Sequence, residues 1–308
     1  MRVHPPASLD PAPEGQLVPQ NDDHLWGLGR ISHRQANITG YASVGLPAGG
    51  KPSIAYVLDS GIRTTHHEFG GRASWGKTFV DGTQDDDEDG HGTHVAGIIM
   101  GDTTGVDNTT LAIAVKVAND GKGLVSGMIA GLDWIVQHAR NGSHIGRSVI
   151  NISMGGAYCQ GFNDAVEAVV AAGITVVIAA GNAGIDACGT SPASAPNAIT
   201  VGAIDSLDNR VYNYGHCVDI FAPGVGIRST FNRNNRDYAV LSGTSMASPH
   251  VAGLAAYLTA RKNLTTPQTL WDYMRKLATP HQVKNAIGGS PNLIGFNGGP
   301  ESKKQGNL

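Results

Sequence analysis

Residues 54–62 read Ile-Ala-Tyr-Val-Leu-Asp-Ser-Gly-Ile (IAYVLDSGI). Ile54 to Leu58 form an apolar run of strand length that ends on an aspartate and a glycine, and it has no polar face. A strand that is apolar on both faces suits a parallel sheet covered by helices on each side. Its last residue, Asp59, then falls at the carboxyl edge, where open α/β sheets present polar groups to ligands.

The same signature recurs downstream. Further strands are expected at Leu111 to Val117, Val149 to Ser153, Thr175 to Ala179, Ala198 to Ala203 and Val218 to Phe221. Longer segments with helical spacing lie between and after them, most clearly Leu124 to Arg140, Phe162 to Ala172, Ser245 to Lys262 and Pro267 to Leu277. The last opens with Thr-Pro, a helix start signal. Alternation of this kind predicts an α/β fold with a mostly parallel central sheet flanked by helices. No repeat or second composition block appears, so one domain is expected over residues 22–299. The proline-rich stretch 1–21 has no apolar core for a signal peptide and reads as a flexible tail. Residues 300–308 read as a polar tail.

Composition narrows the function classes. The chain has 308 residues, 41% of them hydrophobic, enough for a sizeable core. With a net charge of −3 it offers no cationic field for nucleic acid or an anionic membrane. The longest apolar candidate, Ile174 to Ala180, is too short to span a membrane. Three cysteines, Cys159, Cys188 and Cys217, are too few for a disulfide scaffold and too widely spaced for a zinc knuckle. One bridge with a free thiol and three buried thiols both remain open. Asn-x-Ser/Thr sequons begin at Asn37, Asn108, Asn141, Asn151 and Asn263, which suits a secreted or vacuolar chain.

Three segments combine polar chemistry with the carboxyl-edge rule. Asp59 ends one strand, Asn182 follows another in VVIAAGNAG, and Ser245 opens a long helix in LSGTSMASPHVAGLAAYL. Residues 89–97, DGHGTHVAG, add His91 and His94, which could ligate a metal, act as a base or pack. A serine becomes a nucleophile when a base takes its proton and a third group orients that base. Asp59, His91 and Ser245 supply those types. Asn182 and the N-H groups at a helix start can meet a developing oxyanion. The acidic run Asp85 to Asp89 reads as a solvated loop, or as a negative patch that favours basic residues before a scissile bond.

Taken together, VLDSGI, DGHGTHVAG, AAGN and GTSMASPHVAG closely resemble the signatures of the subtilisin-like serine proteases (peptidase S8). DACGTSPASAPNAITVGA, NYGHCVDIFAPG and SPNLIGFNGG are nearest to the proteinase K and cerevisin-like branch. The resemblance runs from about Trp26 to Gly299 and implies a doubly wound subtilisin-like fold. It makes Asp59 the orienting carboxylate, His91 the general base, Ser245 the nucleophile and Asn182 an oxyanion donor; His94 becomes a packed or supporting histidine. Substrate would bind extended between Gly121, Lys122, Gly123 and Leu124 on one side and Ser153, Met154, Gly155, Gly156 and Ala157 on the other. Ala179, Ala180 and Gly181 would form one wall of the primary pocket, small and apolar enough to take hydrophobic or aromatic side chains.

The family implies no catalytic cofactor, a structural Ca2+ on Pro196, Ala198 and Asp219, and a Cys188–Cys217 disulfide with Cys159 free. The expected activity is that of a monomeric endopeptidase working on proteins and peptides through an acyl-enzyme. A dedicated precursor-processing protease and a catalytically silent binding homologue are the rival readings. The resemblance also implies a signal peptide and an inhibitory propeptide, neither of which is recognised ahead of Trp26.

Overall fold

The computed structural model describes residues 2–3, 25–36, 40–43 and 45–299. Most of the expected N-terminal tail and all of the C-terminal tail, 300–308, lie outside the described residues. Arg2 and Val3 are not free: they form a short strand antiparallel to Lys122–Leu124.

Seven parallel strands make the core of the main sheet. Their order across it is Ala73–Thr78, Leu111–Lys116, Ile54–Asp59, Ser148–Ile152, Thr175–Ala179, Ile199–Ile204 and Ile220–Pro223. Leu293–Ile294 and Thr279–Pro280 extend the far edge. Ile54–Asp59 is the point of reversal. From it the chain crosses to the edge at Ala73–Thr78, returns between the two as Leu111–Lys116, and continues on the other side at Ser148–Ile152, so the carboxyl end of Ile54–Asp59 is the crevice that a doubly wound sheet offers to ligands.

The opening stretch shows why the sheet is covered twice. Tyr56 and Leu58 point into a core with Met128, Leu132, Ile135, Phe162 and Val166 of the Val125–Asn141 and Gln160–Ala171 helices. Ala55 and Val57 point the other way, toward Val95, Ile98 and Ile99 and toward Ala252, Ala255 and Ala256. Period-2 alternation sends neighbours to opposite faces, and both faces are apolar because both are buried.

Two helices fill that second face. The Thr244–Lys262 helix is buried continuously from Thr244 to Thr259, and the His91–Met100 helix along its whole length. The latter is not among the clearest helices expected from sequence, because it is short (10 residues), holds two poor helix formers, Gly92 and Gly97, and has no polar face to show a 3.6-residue period. Its packing instead requires small residues. A Cβ on Gly92 would come within 2.1 Å of the Gly61 carbonyl oxygen, so only glycine lets this helix start lie against the loop after Asp59. At the Pro267–Leu277 helix the start signal works as expected, with the Thr266 hydroxyl accepting the Thr269 N-H.

Candidate active site

Asp59 ends its strand and His91 opens its helix, and the two meet. His91 Nδ1 lies 2.7 Å from Asp59 Oδ1, with both side chains almost fully buried. Asp59 Oδ1 also accepts the Ser60 N-H, while Oδ2 is buried without a hydrogen-bond partner. Burial alone would pull the His91 pKa down; the charge and hydrogen bond of Asp59, aided by Asp89 and Asp87, outweigh it and raise the pKa above the ordinary histidine value. An imidazole held this way carries its proton on Nδ1 and leaves Nε2 to exchange one.

His94 is a different case. Its Nε2 faces the carbonyl oxygens of Ile227 and Ala239 at 3.1 and 3.2 Å. Burial, with His91 nearby, lowers its pKa to about 3, so it packs as a neutral imidazole. The two rings serve separate partners rather than converging on one point.

Ser245 is the second residue of its helix, whose first N-H groups lack intrahelical partners. Its Oγ donates to the Ser153 carbonyl at 3.1 Å, and Ser153 Oγ donates to the Ser245 carbonyl at 2.9 Å. In this rotamer the hydroxyl is not bonded to His91, a bond that often tightens only with substrate. Ser248 and Asn151 add a second tie between the same segments at 2.8 Å.

Asn182 is oriented by its oxygen, which accepts both the N-H and the hydroxyl of Thr244 at 2.9 and 2.8 Å. That leaves the amide NH2 as a free-standing donor beside the helix start. A Cβ on Gly243 would stand 2.8 Å from that nitrogen, which explains the glycine. Thr244 is a residue that sequence reasoning passed over; its hydroxyl also accepts the Gly181 N-H at 3.0 Å.

The expected cleft residues leave from one edge of the sheet. Ser153 to Ala157 continue the Ser148–Ile152 strand, and Ala180 and Gly181 continue its parallel neighbour Thr175–Ala179. Gly156–Ala157 pair with Thr190–Ser191, and Asn213 holds the Ala180 carbonyl at 2.7 Å. Lys122–Leu124 form one arm of a hairpin with Ala118–Asn119. The Arg2–Val3 strand pairs with this arm, with Val3 opposite Gly123, and also lies against Gly156–Ala157. An extended segment therefore already fits beside the expected substrate strand.

The acidic run is divided: Asp85, Asp86 and Glu88 are exposed, as a solvated loop requires, whereas Asp89 is half-buried and Asp87 buried. Asp87 is buried and accepts from Ser60 Oγ, Gly90 N, Thr93 N and Thr93 Oγ1 at 2.6–2.8 Å. Asp89 accepts the Gly121 N-H at 2.7 Å. The Lys116 ammonium, on a fully buried side chain, bonds the Asp86 carbonyl and reaches Glu88 and Asn119.

Pro196, Ala198 and Asp219 line one cavity of about 430 Å³, together with Glu167, Trp271 and Asp272. Asp219 Oδ2 accepts the Thr200 N-H at 2.8 Å, and burial raises its pKa to about 6. Backbone carbonyls and a poorly solvated carboxylate are the donor set of a hard cation. Cys188 and Cys217 are joined, with Cα atoms 5.3 Å apart, and Cys159 is free. His216 adjoins the bridge, but both sulfurs of that Cys-His-Cys cluster are spent in the disulfide.

Comparison with known proteins shows the family and the fold. A sequence model described as the subtilase family matches residues 49–296. A "Subtilisin-like protease 2" of Pseudogymnoascus destructans is 47% identical over 276 residues, covering 89% of this chain and 67% of the relative. A "Cuticle-degrading serine protease" of Arthrobotrys oligospora is 44% identical over 289 residues, covering 91% and 69%. The crystal structure of a cold-adapted subtilisin-like serine proteinase superposes with a TM-score of 0.81 at 39% identity, covering 88% of this chain and 97% of that one.

Proposed function

The chain belongs to the subtilase family and is a serine endopeptidase, and from that premise we propose that Asp59, His91, Ser245 and Asn182 carry the reaction. The observation that bears most weight is the buried 2.7 Å contact between His91 and Asp59 at the carboxyl edge of the sheet. In this reading His91 Nε2 takes the Ser245 proton as Oγ attacks the peptide carbonyl. Asp59 keeps the imidazole in the right tautomer and stabilises the imidazolium. The oxyanion receives the Asn182 amide and the N-H groups at the helix start, both held before the reaction begins. His91 returns the proton to the leaving amine, and water, deprotonated by the same imidazole, then releases the acyl group from Ser245.

Substrate would add as a strand between Lys122–Leu124 and Ser153–Ala157, with backbone pairing for affinity and pockets for alternate side chains. The pairing of Arg2–Val3 with the same arm supports that reading. The small residues Gly155, Ala179, Ala180 and Gly181 favour a hydrophobic or aromatic side chain before the scissile bond. A calcium ion held by Pro196, Ala198 and Asp219 would stabilise the fold without entering the chemistry. The disulfide favours an oxidising setting, secreted or vacuolar, and the protein is proposed to act as a monomer.

The test is labelling with a fluorophosphonate, followed by peptide mapping. The tag is expected on Ser245, and Ser245→Ala should abolish both labelling and peptide hydrolysis with an unchanged circular dichroism spectrum. Activity above a tenth of wild type in Ser245→Ala would refute the assignment and reopen the silent-homologue and alternative-nucleophile readings.

A further inference from the structure

The hairpin whose second arm is the Lys122–Leu124 strand turns at Asp120 and Gly121, both with positive φ (49° and 64°). A two-residue turn of this type sets the register of the arms but does not anchor the hairpin to the rest of the molecule. Two ties reach it from the acidic loop: Lys116 Nζ, which holds the Asp86 carbonyl, also bonds Asn119 Oδ1 at 3.3 Å in the first arm, and Asp89 takes the tip. At its tip the Gly121 N-H donates to Asp89 Oδ2 at 2.7 Å. Asp89 stands two residues before His91, and its own N-H donates to Asp87 Oδ1 at 3.1 Å. Asp87 in turn holds Ser60, next to Asp59, and Thr93, in the first turn of the His91 helix.

One continuous path of hydrogen bonds thus runs from the base and its carboxylate to the strand that would pair with substrate. Every link except Asp89 to Gly121 is internal to the loops that carry Asp59 and His91. We propose that Asp89 is a positioning residue that fixes the substrate-pairing hairpin at a set distance from His91. This proposal rests on the reading above, in which Gly121 to Leu124 pair with the substrate backbone.

A hydrogen bond to a charged acceptor is among the stronger kinds, and the 2.7 Å separation fits one. Without it the hairpin would keep its turn and the Lys116–Asn119 tie but lose the bond that fixes its tip against the catalytic loop, so substrates that use the hairpin would suffer and those that do not would be spared. Asp89 also adds negative charge near His91, alongside Asp59 and Asp87, while the neutral His94 adds none. Removing that charge makes the imidazolium less favourable and lowers the His91 pKa.

The experiment compares an N-blocked tetrapeptide anilide, which spans the hairpin, with a single-residue acyl ester, which does not. For Asp89→Ala, kcat/KM on the tetrapeptide should fall about tenfold, mainly through KM, against no more than about twofold on the ester, as expected for loss of one charge-assisted bond. Asp89→Asn keeps an acceptor for Gly121 and should stay near wild type in KM, with the acid limb of its kcat/KM profile moved to lower pH. Equal losses on both substrates in Asp89→Ala, or a KM in Asp89→Asn as high as in Asp89→Ala, would overturn the proposal. Active-site titration of each variant with the fluorophosphonate separates the two readings. Wild-type protein that neither labels nor hydrolyses either substrate defeats the functional reading itself, whereas a labelled, active wild type with unchanged tetrapeptide-to-ester ratios defeats only the role of Asp89.

Discussion

Thr244 fixes the Asn182 carboxamide by two bonds to its oxygen, so the nitrogen is committed as a donor before any substrate arrives. A donor of this kind bonds most strongly when charge develops on the carbonyl oxygen, and it should act on the transition state more than on binding. Asn182→Ala is therefore expected to lower kcat about 10²- to 10³-fold with little change in KM, a magnitude taken from a subtilisin asparagine, that is, from a relative of this chain. Steady-state kinetics on a peptide anilide checks it, and a loss confined to KM would contradict the role. At this scale the sequence is only partly legible. His91 and His94 are three residues apart and share chemistry, and the residues alone leave base, ligand and packing open for both. What separates them is long-range: Asp59 faces one ring, while two carbonyls of the Ile227–Thr230 and Tyr238–Leu241 hairpin face the other.

Elements that are amphipathic or bounded by clear signals are the ones a sequence displays. Pro267–Leu277 has its expected limits, and the Thr175–Ala179 strand falls where its β-branched run does. The His91–Met100 helix does not show itself, since it is short, glycine-bearing and without a polar face, and the hydrogen bonds of Asp87, Asp89 and Lys116 depend on partners brought together by the fold. The disulfide belongs to this scale as well. It joins the Ala187–Gly189 turn, beyond the Asn182 loop, to the segment entering the Ile220–Pro223 strand, across a sequence separation of 29. Closing a loop of that length in the unfolded chain stabilises the native state by on the order of 3 to 4 kcal/mol in the chain-entropy model. Cys217→Ser should lower stability by roughly that amount in denaturant titration, whereas Cys159→Ser should lower it by far less. Under non-reducing conditions only Cys159 should alkylate in unfolded protein.

The molecule as a whole is organised around one sheet with its reversal at Ile54–Asp59, and this architecture is the part most visible in the sequence, because strands buried on both faces must be apolar throughout. Calcium is a whole-molecule question, since the Asp219 cavity lies between the sheet and the Gln160–Ala171 and Pro267–Leu277 helices. An ion bound there in the native state alone would stabilise by mass action, about 2.7 kcal/mol at a hundredfold excess over its Kd. Chelation with EDTA is expected to lower the Tm without removing the fluorophosphonate label from Ser245, and Asp219→Asn should make the Tm indifferent to added calcium. An unchanged Tm under chelation would rule the site out.

The helix that carries Ser245 is sealed by core over four turns, from Thr244 to Thr259. Beyond its first turn, its amides should therefore exchange only when the sheet itself gives way, near the free-energy cost of unfolding the domain. With the proposed nucleophile at the start of a helix buried this deeply, nicks by neighbouring copies should fall on surface loops, leaving the reacting centre among the last parts lost to self-digestion.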